Sequence, residues 1–425
     1  MRLLRMGSTG PGVELLQLAL NRAGDGTLET DGIFGPLTES ALRRFQSARG
    51  ISADGVAGRE THRALLPWYT GSLLHRIEKG DTIAKLAQQY GTTTEAIFLA
   101  NPEAEAENLR IGESLVIPLS FQVVPTTITY SAKLVELCLQ GLKMRYPFLE
   151  TGEIGMSVMG KPIRSLRLGS GENRVLYNAE HHANEWITTP LLLKFAEELC
   201  EAYTKKEKIY DQSAEELLRS ASVTLIPAVN PDGLDLVTGE LRQGEFYRGA
   251  ENIAGDWPNI PFPSGWKANI RGTDLNLQYP AGWQEAKEIK YTQGVRGPAP
   301  KDYVGSAPLS APESRAMYDY TLALSPRLTI SWHTQGEEIY WRYGECEPEG
   351  AEKIGRLFAK LSGYQLTDPE AESANAGYKD WFIESFDRPG YTVEAGTGDN
   401  PLPLSGFDKL YAKNLPILVY GALVT

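Results

Sequence analysis

Four short apolar, β-branched runs limit the fold of this chain more than any other feature: Arg174–Asn178, Ser222–Ala228, Arg327–Trp332 and Gly390–Glu394. Helical stretches such as Pro190–Tyr203, Ala311–Leu324 and Ala351–Leu361 lie between them. Such alternation predicts an α/β unit, a mixed and mostly parallel sheet flanked by helices. Three of the runs lead into residues able to do chemistry: Glu180-His181-His182-Ala-Asn-Glu185, then His333, then Glu394. In open α/β sheets ligands bind beyond the carboxyl ends of the strands, so an active site requires this kind of clustering.

Catalytic zinc takes three protein ligands and leaves one position open, and two histidines with a glutamate form one known set. His182 and Glu185 are close enough in sequence to converge from one turn; the distant His333 can complete the set. Of the five histidines in the chain, His181, His182 and His333 fall at strand ends. His181 competes with its neighbour, although only His182 has a glutamate three residues on. Glu337 and Glu338 follow His333 and compete with Glu394 as a base, but paired loop charges are more often solvated. Asp232, in Asn230-Pro-Asp-Gly233, reads as a turn-forming aspartate before glycine. His62 and His75 read as structural or exposed.

At 425 residues the chain exceeds what one hydrophobic core usually organises, so two or three domains are expected. Residues 1–70 hold three helical segments and a pseudo-repeat: Asp31-Gly-Ile-Phe-Gly35 and Asp54-Gly-Val-Ala-Gly58 each feed a helix. Residues 71–120 read as strand, helix, helix, strand, with Asp81 as N-cap of the first helix and Gly91 as its stop. The α/β unit takes 121–425, joined by a short segment near Ser120–Thr127.

The net charge of −12 argues against nucleic acid as a partner, because phosphate neutralisation needs a basic surface. No stretch approaches the roughly 20 apolar residues of a membrane span. Cys138, Cys200 and Cys346 form no CxxC pair and read as thiols without chemistry. The start, MRLLRMGSTGPG, lacks the apolar run of a secretory signal. Either a signal has been removed, or the protein leaves the cytoplasm another way, or it acts inside a developing or lysing cell, as in sporulation.

The paired DGxxG turns, with Leu16-Gln17 before and Phe45-Gln46 between, resemble the type 1 peptidoglycan-binding domain. Gly80-Asp-Thr82, Asn101 and Gly112-Glu-Ser-Leu-Val-Ile-Pro118 resemble a LysM module, a family that binds chains of N-acetylated amino sugars. These resemblances imply peptidoglycan as partner and a cell-wall or extracellular location. An acidic chain gets no electrostatic help toward an anionic wall, so such affinity would come from shaped sites.

HHANEWIT, Asn230-Pro-Asp-Gly233, Gly272-Thr-Asp-Leu-Asn276, Ser331-Trp-His333 and Tyr391-Thr-Val-Glu394 occur in the order seen in M14 metallocarboxypeptidases, and the chain resembles that family. The resemblance implies one zinc per chain, with His182, Glu185 and His333 as ligands. It implies Glu394 as general base and then proton donor, and Asp274 as the carboxylate that orients the first zinc histidine. Lys267 falls where the family usually has an arginine that stabilises the oxyanion, and Arg271 is its rival for that role. Asn276 matches a substrate-binding asparagine, which the family usually follows with an arginine that clamps the substrate's α-carboxylate. Here Leu277 takes that place and has nothing to donate. Tyr378 is near, but offset from, the position of a family tyrosine.

GTDLNLQYPAGW and VEAGTGDNPLP resemble the branch that cuts between γ-D-glutamate and the diamino acid of peptidoglycan stem peptides. That branch implies hydrolysis beside diaminopimelate or lysine, with Lys379 as a candidate reader of a substrate carboxylate. The alternatives are an ordinary C-terminal metallocarboxypeptidase and a non-catalytic wall-binding protein.

Overall fold

Two buried glutamines account for the repeated turns. The computed structural model describes residues 1–105, 109–368 and 374–424. It divides into two compact units, Met1–Thr129 with Lys133–Glu150, and Tyr130–Ala132 with Thr151–Thr425. The first unit opens with helices α1 (Pro11–Arg22), α2 (Pro36–Ala48) and α3 (Arg59–Ala64). Gln17 of α1 donates from Nε2 to Asp31 Oδ1 (2.7 Å), the Ile33 carbonyl (3.2 Å) and Thr38 Oγ1 (3.2 Å). Its Oε1 accepts from the Gly32 amide at 3.0 Å. Gln46 of α2 repeats the pattern with Asp54, Val56, Thr61 and Gly55, each contact at 3.0 Å. Gly32 and Gly55 have φ of 70° and 72°, a left-handed conformation that glycine adopts without strain. Each DG turn therefore wraps a side-chain amide, which satisfies its otherwise orphaned backbone groups.

The next segment pairs β1 (Ser72–Arg76) antiparallel with β2 (Ser114–Pro118), Ser72 facing Pro118 and Arg76 facing Ser114. The helix Ile83–Tyr90 is capped by Thr82, whose hydroxyl accepts from the Lys85 amide. Asp81, expected as the cap, is spent elsewhere: Oδ2 takes His75 Nε2 at 2.7 Å and the Glu78 amide at 2.8 Å. Asn101 closes the module by accepting from the Val116 amide and donating to the Ile97 and Val116 carbonyls. His62 and His75 are structural, bonded to Tyr69 and Tyr90. Residues 133–150 lie with these small modules. Arg145 donates from one nitrogen to the carbonyls of Gly71 (3.0 Å), Leu119 (2.8 Å) and Phe121 (2.9 Å). A Cβ at Gly141 would come within 2.1 Å of the Thr70 carbonyl oxygen, so only glycine lets this helix approach so closely.

The second unit is built on a mixed sheet of eight strands. In chain order these are β3 (Glu150–Met156), β4 (Pro162–Leu168), β5 (Asn173–Ala179), β6 (Ala221–Ile226), β7 (Leu328–His333), β8 (Glu338–Tyr340), β9 (Gln365–Thr367) and β10 (Gly390–Glu394). They lie side by side as β9-β8-β10-β7-β5-β6-β4-β3. The four runs read from sequence form the parallel centre, β10-β7-β5-β6, and their burial is nearly continuous because helices cover both faces. Antiparallel β8 and β4 flank them. On one face Tyr177 and Trp332 anchor the C-terminal helix Phe407–Gly421, through the Leu418 carbonyl (3.0 Å) and Asn414 Oδ1 (2.9 Å). The other face carries Leu176 and Ile226, packed in a core with Tyr279, Tyr378, Trp381 and Phe382.

Gln46→Leu keeps the volume of the side chain but strands the Gly55 amide in a buried site. It is expected to destabilise the N-terminal module by about 2–4 kcal/mol. Hydrogen exchange across residues 46–61 should accelerate while exchange in β5 and β7 is unaffected; unaltered exchange across 46–61 would rule out the glutamine as the organiser of the turn.

Candidate metal centre

Parallel pairing brings the ends of β5, β7 and β10 to one edge, with Glu394 in register beside His333 and Ala179 beside Trp332. After Ala179 the chain turns at Glu180, a buried residue in left-handed conformation (φ 60°). A 3₁₀ turn, Ala183–Glu185, then places Glu185 one turn beyond His182. Candidate ligand atoms of His182, Glu185 and His333 all lie within 4.8 Å of one another. Glu185 is buried and uses both oxygens. Oε1 is 3.0 Å from His182 Nδ1, and Oε2 is 2.9 Å from His333 Nδ1. The two Nδ1 atoms are 3.1 Å apart.

Asp274 Oδ1 lies 3.2 Å from the outer nitrogen, Nε2, of His182. A proton held there leaves the Nδ1 lone pair facing the cluster, the tautomer a metal needs. Asp274 is itself fixed, capping the turn Leu275–Leu277 through the Asn276 amide and accepting from the Asp302 amide at 3.1 Å. Burial opposes its charge, yet His182 beside it holds the carboxyl well below the usual range. Burial likewise pulls His182 down, but Glu185 and Asp274 outweigh that and hold it up to about 10. Two imidazole nitrogens and a carboxylate converging in a buried, acidic pocket fit a zinc ion in donor type and number.

Lys267 reaches the cluster, with Nζ 3.1 Å from Glu185 Oε1. Despite burial, Glu185, Glu394 and Asp274 hold it above its usual range, so it stays charged. Its backbone is tied to the ligand loop, the Ala183 amide donating to the Lys267 carbonyl at 3.0 Å. Arg271, its rival, is exposed and lines a separate cavity of about 500 Å³ with Glu245, Phe246 and Tyr303. Glu394 is pushed up to about 8 by burial and by the nearby Glu185 carboxylate, with Lys267 opposing.

The competitors have other partners. His181 is buried, stacks on His333 with ring centroids 5.8 Å apart, and bonds through Nε2 to the Tyr279 hydroxyl at 3.0 Å. Glu337 pairs with Lys413 at 2.6 Å. Asp232 does not form a turn: NPDG opens the helix Pro231–Val237, capped by Asn230 through the Gly233 amide. Asp232 takes the Met159 amide (2.8 Å) and the Lys161 ammonium (3.1 Å). Lys379, the expected reader of a substrate carboxylate, is buried, with Nζ bonded to Asp380 Oδ1 (2.5 Å) and the Arg342 carbonyl (2.7 Å). Asn276 is half-buried and accepts from the Tyr378 amide at 3.0 Å. Leu277 packs toward Trp283, Ala286, Val304 and Ala376.

Asn230 was not singled out from the sequence. Its Nδ2 donates to the His181 carbonyl (3.2 Å) and the Ala268 carbonyl (3.1 Å), clamping the ligand loop to the Lys267 segment. An N-cap asparagine followed by proline at the first helical position was the available signal.

The zinc carboxypeptidase family profile matches residues 135–415, a peptidoglycan-binding domain profile 9–65, and a LysM domain profile 75–118. The gamma-D-glutamyl-L-diamino acid endopeptidase 1 of Lysinibacillus sphaericus is 38% identical over 305 residues, covering 71% of this chain and 74% of that protein. An uncharacterized protein of Bacillus subtilis (strain 168) is 40% identical over 277 residues, covering 64% of this chain and 72% of that protein. Among solved structures, the carboxypeptidase A of Helicoverpa armigera shares the fold, with a TM-score of 0.52 at 18% identity, covering 80% of this chain and 78% of that one.

Asp274→Ala frees the outer nitrogen of His182 and should lower zinc affinity about 10- to 100-fold, read by competition with a chelator of known affinity. Undiminished affinity would show that the contact does not orient the ring.

Proposed function

We propose that this chain, which belongs to the zinc carboxypeptidase family, hydrolyses the bond between γ-D-glutamate and the L-diamino acid of peptidoglycan stem peptides. It is a metallopeptidase that uses zinc, and its peptidoglycan-binding and LysM domains associate it with the cell wall. The carrying observation is the conjunction of those wall domains and the ligand cluster with Leu277, which stands where the family usually has an arginine and packs into an apolar setting. An exopeptidase needs a donor for its substrate's terminal carboxylate, and leucine has none. The name of the Lysinibacillus sphaericus relative supports the choice of bond.

Zinc, when bound by His182, Glu185 and His333, supplies Lewis acidity to the scissile carbonyl and to the attacking water. Glu394 accepts the proton of that water as the new C–O bond forms. The Lys267 ammonium faces the charge that develops on the carbonyl oxygen. Glu394 then returns the proton to the nitrogen of the diamino acid as the C–N bond breaks, and carboxylate and free amine result. Asp274 keeps the His182 ring in the orientation that serves this geometry. Asn276, its Oδ1 held by the Tyr378 amide, keeps its amide nitrogen for substrate. The wall domains would bind glycan chains and present the attached stem peptides, raising their effective concentration at the site. The reading places the protein outside the cytoplasm, or in a sporulating or lysing cell.

Mass spectrometry of muropeptides digested with and without chelator tests this reading. Cleavage after D-glutamate, lost on chelation, is expected, whereas removal of only the C-terminal residue would identify an ordinary carboxypeptidase. Glu394→Gln should lower kcat by at least about 100-fold and leave one zinc per chain. Loss of the metal in that variant would assign Glu394 to the ligands instead.

A further inference from the structure

Strand β8 runs antiparallel to β10 with Glu338 directly opposite Glu394. Side chains opposite one another on paired strands leave the same face of the sheet. Glu338 thus shares the face that carries Glu394 and, one strand further in, His333. The exposed Gly336 lies between them: a Cβ there would stand 3.7 Å from Glu394 Cβ and 3.7 Å from Glu338 Cγ. Glu338 is half-buried. Its Oε2 accepts from the Tyr340 hydroxyl at 2.9 Å, which fixes the carboxylate. Among the described residues no lysine, arginine or histidine pairs with it, while its neighbour Glu337 has Lys413. It also adds to the negative field that raises Glu394. A carboxylate held in place beside the catalytic base without a counter-ion is unfavourable in the free protein, and an arriving cation relieves that cost.

We propose that Glu338 is a specificity residue that binds the side-chain ammonium of the diamino acid on the leaving side of the bond. Glu394 protonates the leaving nitrogen, so the diamino acid lies on its side of the site, and Glu338 stands one strand beyond. The contact would make the diamino character of the substrate, not only its backbone, a requirement for cleavage. It rests on the reading of the bond given above and names the group by which that substrate is chosen.

Four synthetic γ-D-glutamyl peptides test it: those of meso-diaminopimelate and L-lysine, and their counterparts lacking only the side-chain amine, L-2-aminopimelate and L-norleucine. For the wild-type enzyme, removing the amine should lower kcat/KM roughly 10- to 100-fold, mostly through KM. Glu338→Gln keeps an acceptor for Tyr340 and removes the charge. Its loss on the diamino substrate should exceed its loss on the matching monoamino peptide by about tenfold or more. Equal losses on both members of a pair would overturn the proposal, as would wild-type enzyme that cuts them equally well. If the wild-type enzyme cuts none of the four, the reading of the bond itself fails and this inference falls with it.

Discussion

Glu185 is the charge around which the end of the sheet is organised. Its two oxygens meet His182, His333 and Lys267, and the Thr334 amide adds a further donor at 3.3 Å. A buried carboxylate is tolerated only with such compensation, since without partners it would be an unpaired buried charge. The charge on Glu185 keeps the buried Lys267 protonated and, together with burial, raises Glu394. His182, His333, Lys267 and Glu394 are therefore coupled through one side chain.

The precision of the cluster comes from behind it. Asn230 holds the His181 and Ala268 carbonyls together, and the Ala183 amide reaches the Lys267 carbonyl. Asp274 is pinned by two backbone amides before it touches His182. These bonds join segments far apart in sequence, so the geometry of the site is a property of the loops beyond the sheet as much as of the strand ends. Glu180, strained and buried, is accommodated in the same layer by the Asn230 amide at 3.2 Å.

The wall domains solve a different problem. A chain with net charge −12 cannot rely on attraction to an anionic polymer. Its N-terminal unit instead presents small modules, the first with both turns fastened from inside by Gln17 and Gln46. Joining wall-binding domains to a catalytic domain raises the effective concentration of an immobile polymer at the active site.

The amino-acid order alone determined the α/β class, the central strands and their chemical ends. Short, β-branched apolar runs alternating with helical stretches favour a sheet covered on both faces, and parallel strands deliver their ends to one edge. The residues His182, Glu185, His333 and Glu394 were visible for the same reason. The flanking strands β3, β4, β8 and β9 were not, because short or partly exposed strands carry little hydrophobic pattern. Nor could spacing separate Lys267 from Arg271, reveal that Lys379 is spent on Asp380, show that Asp81 serves His75 in place of a helix end, or set Glu338 opposite Glu394. Those outcomes depend on which side chains meet across long sequence separations and on which charges lose their water, and only the tertiary structure decides either.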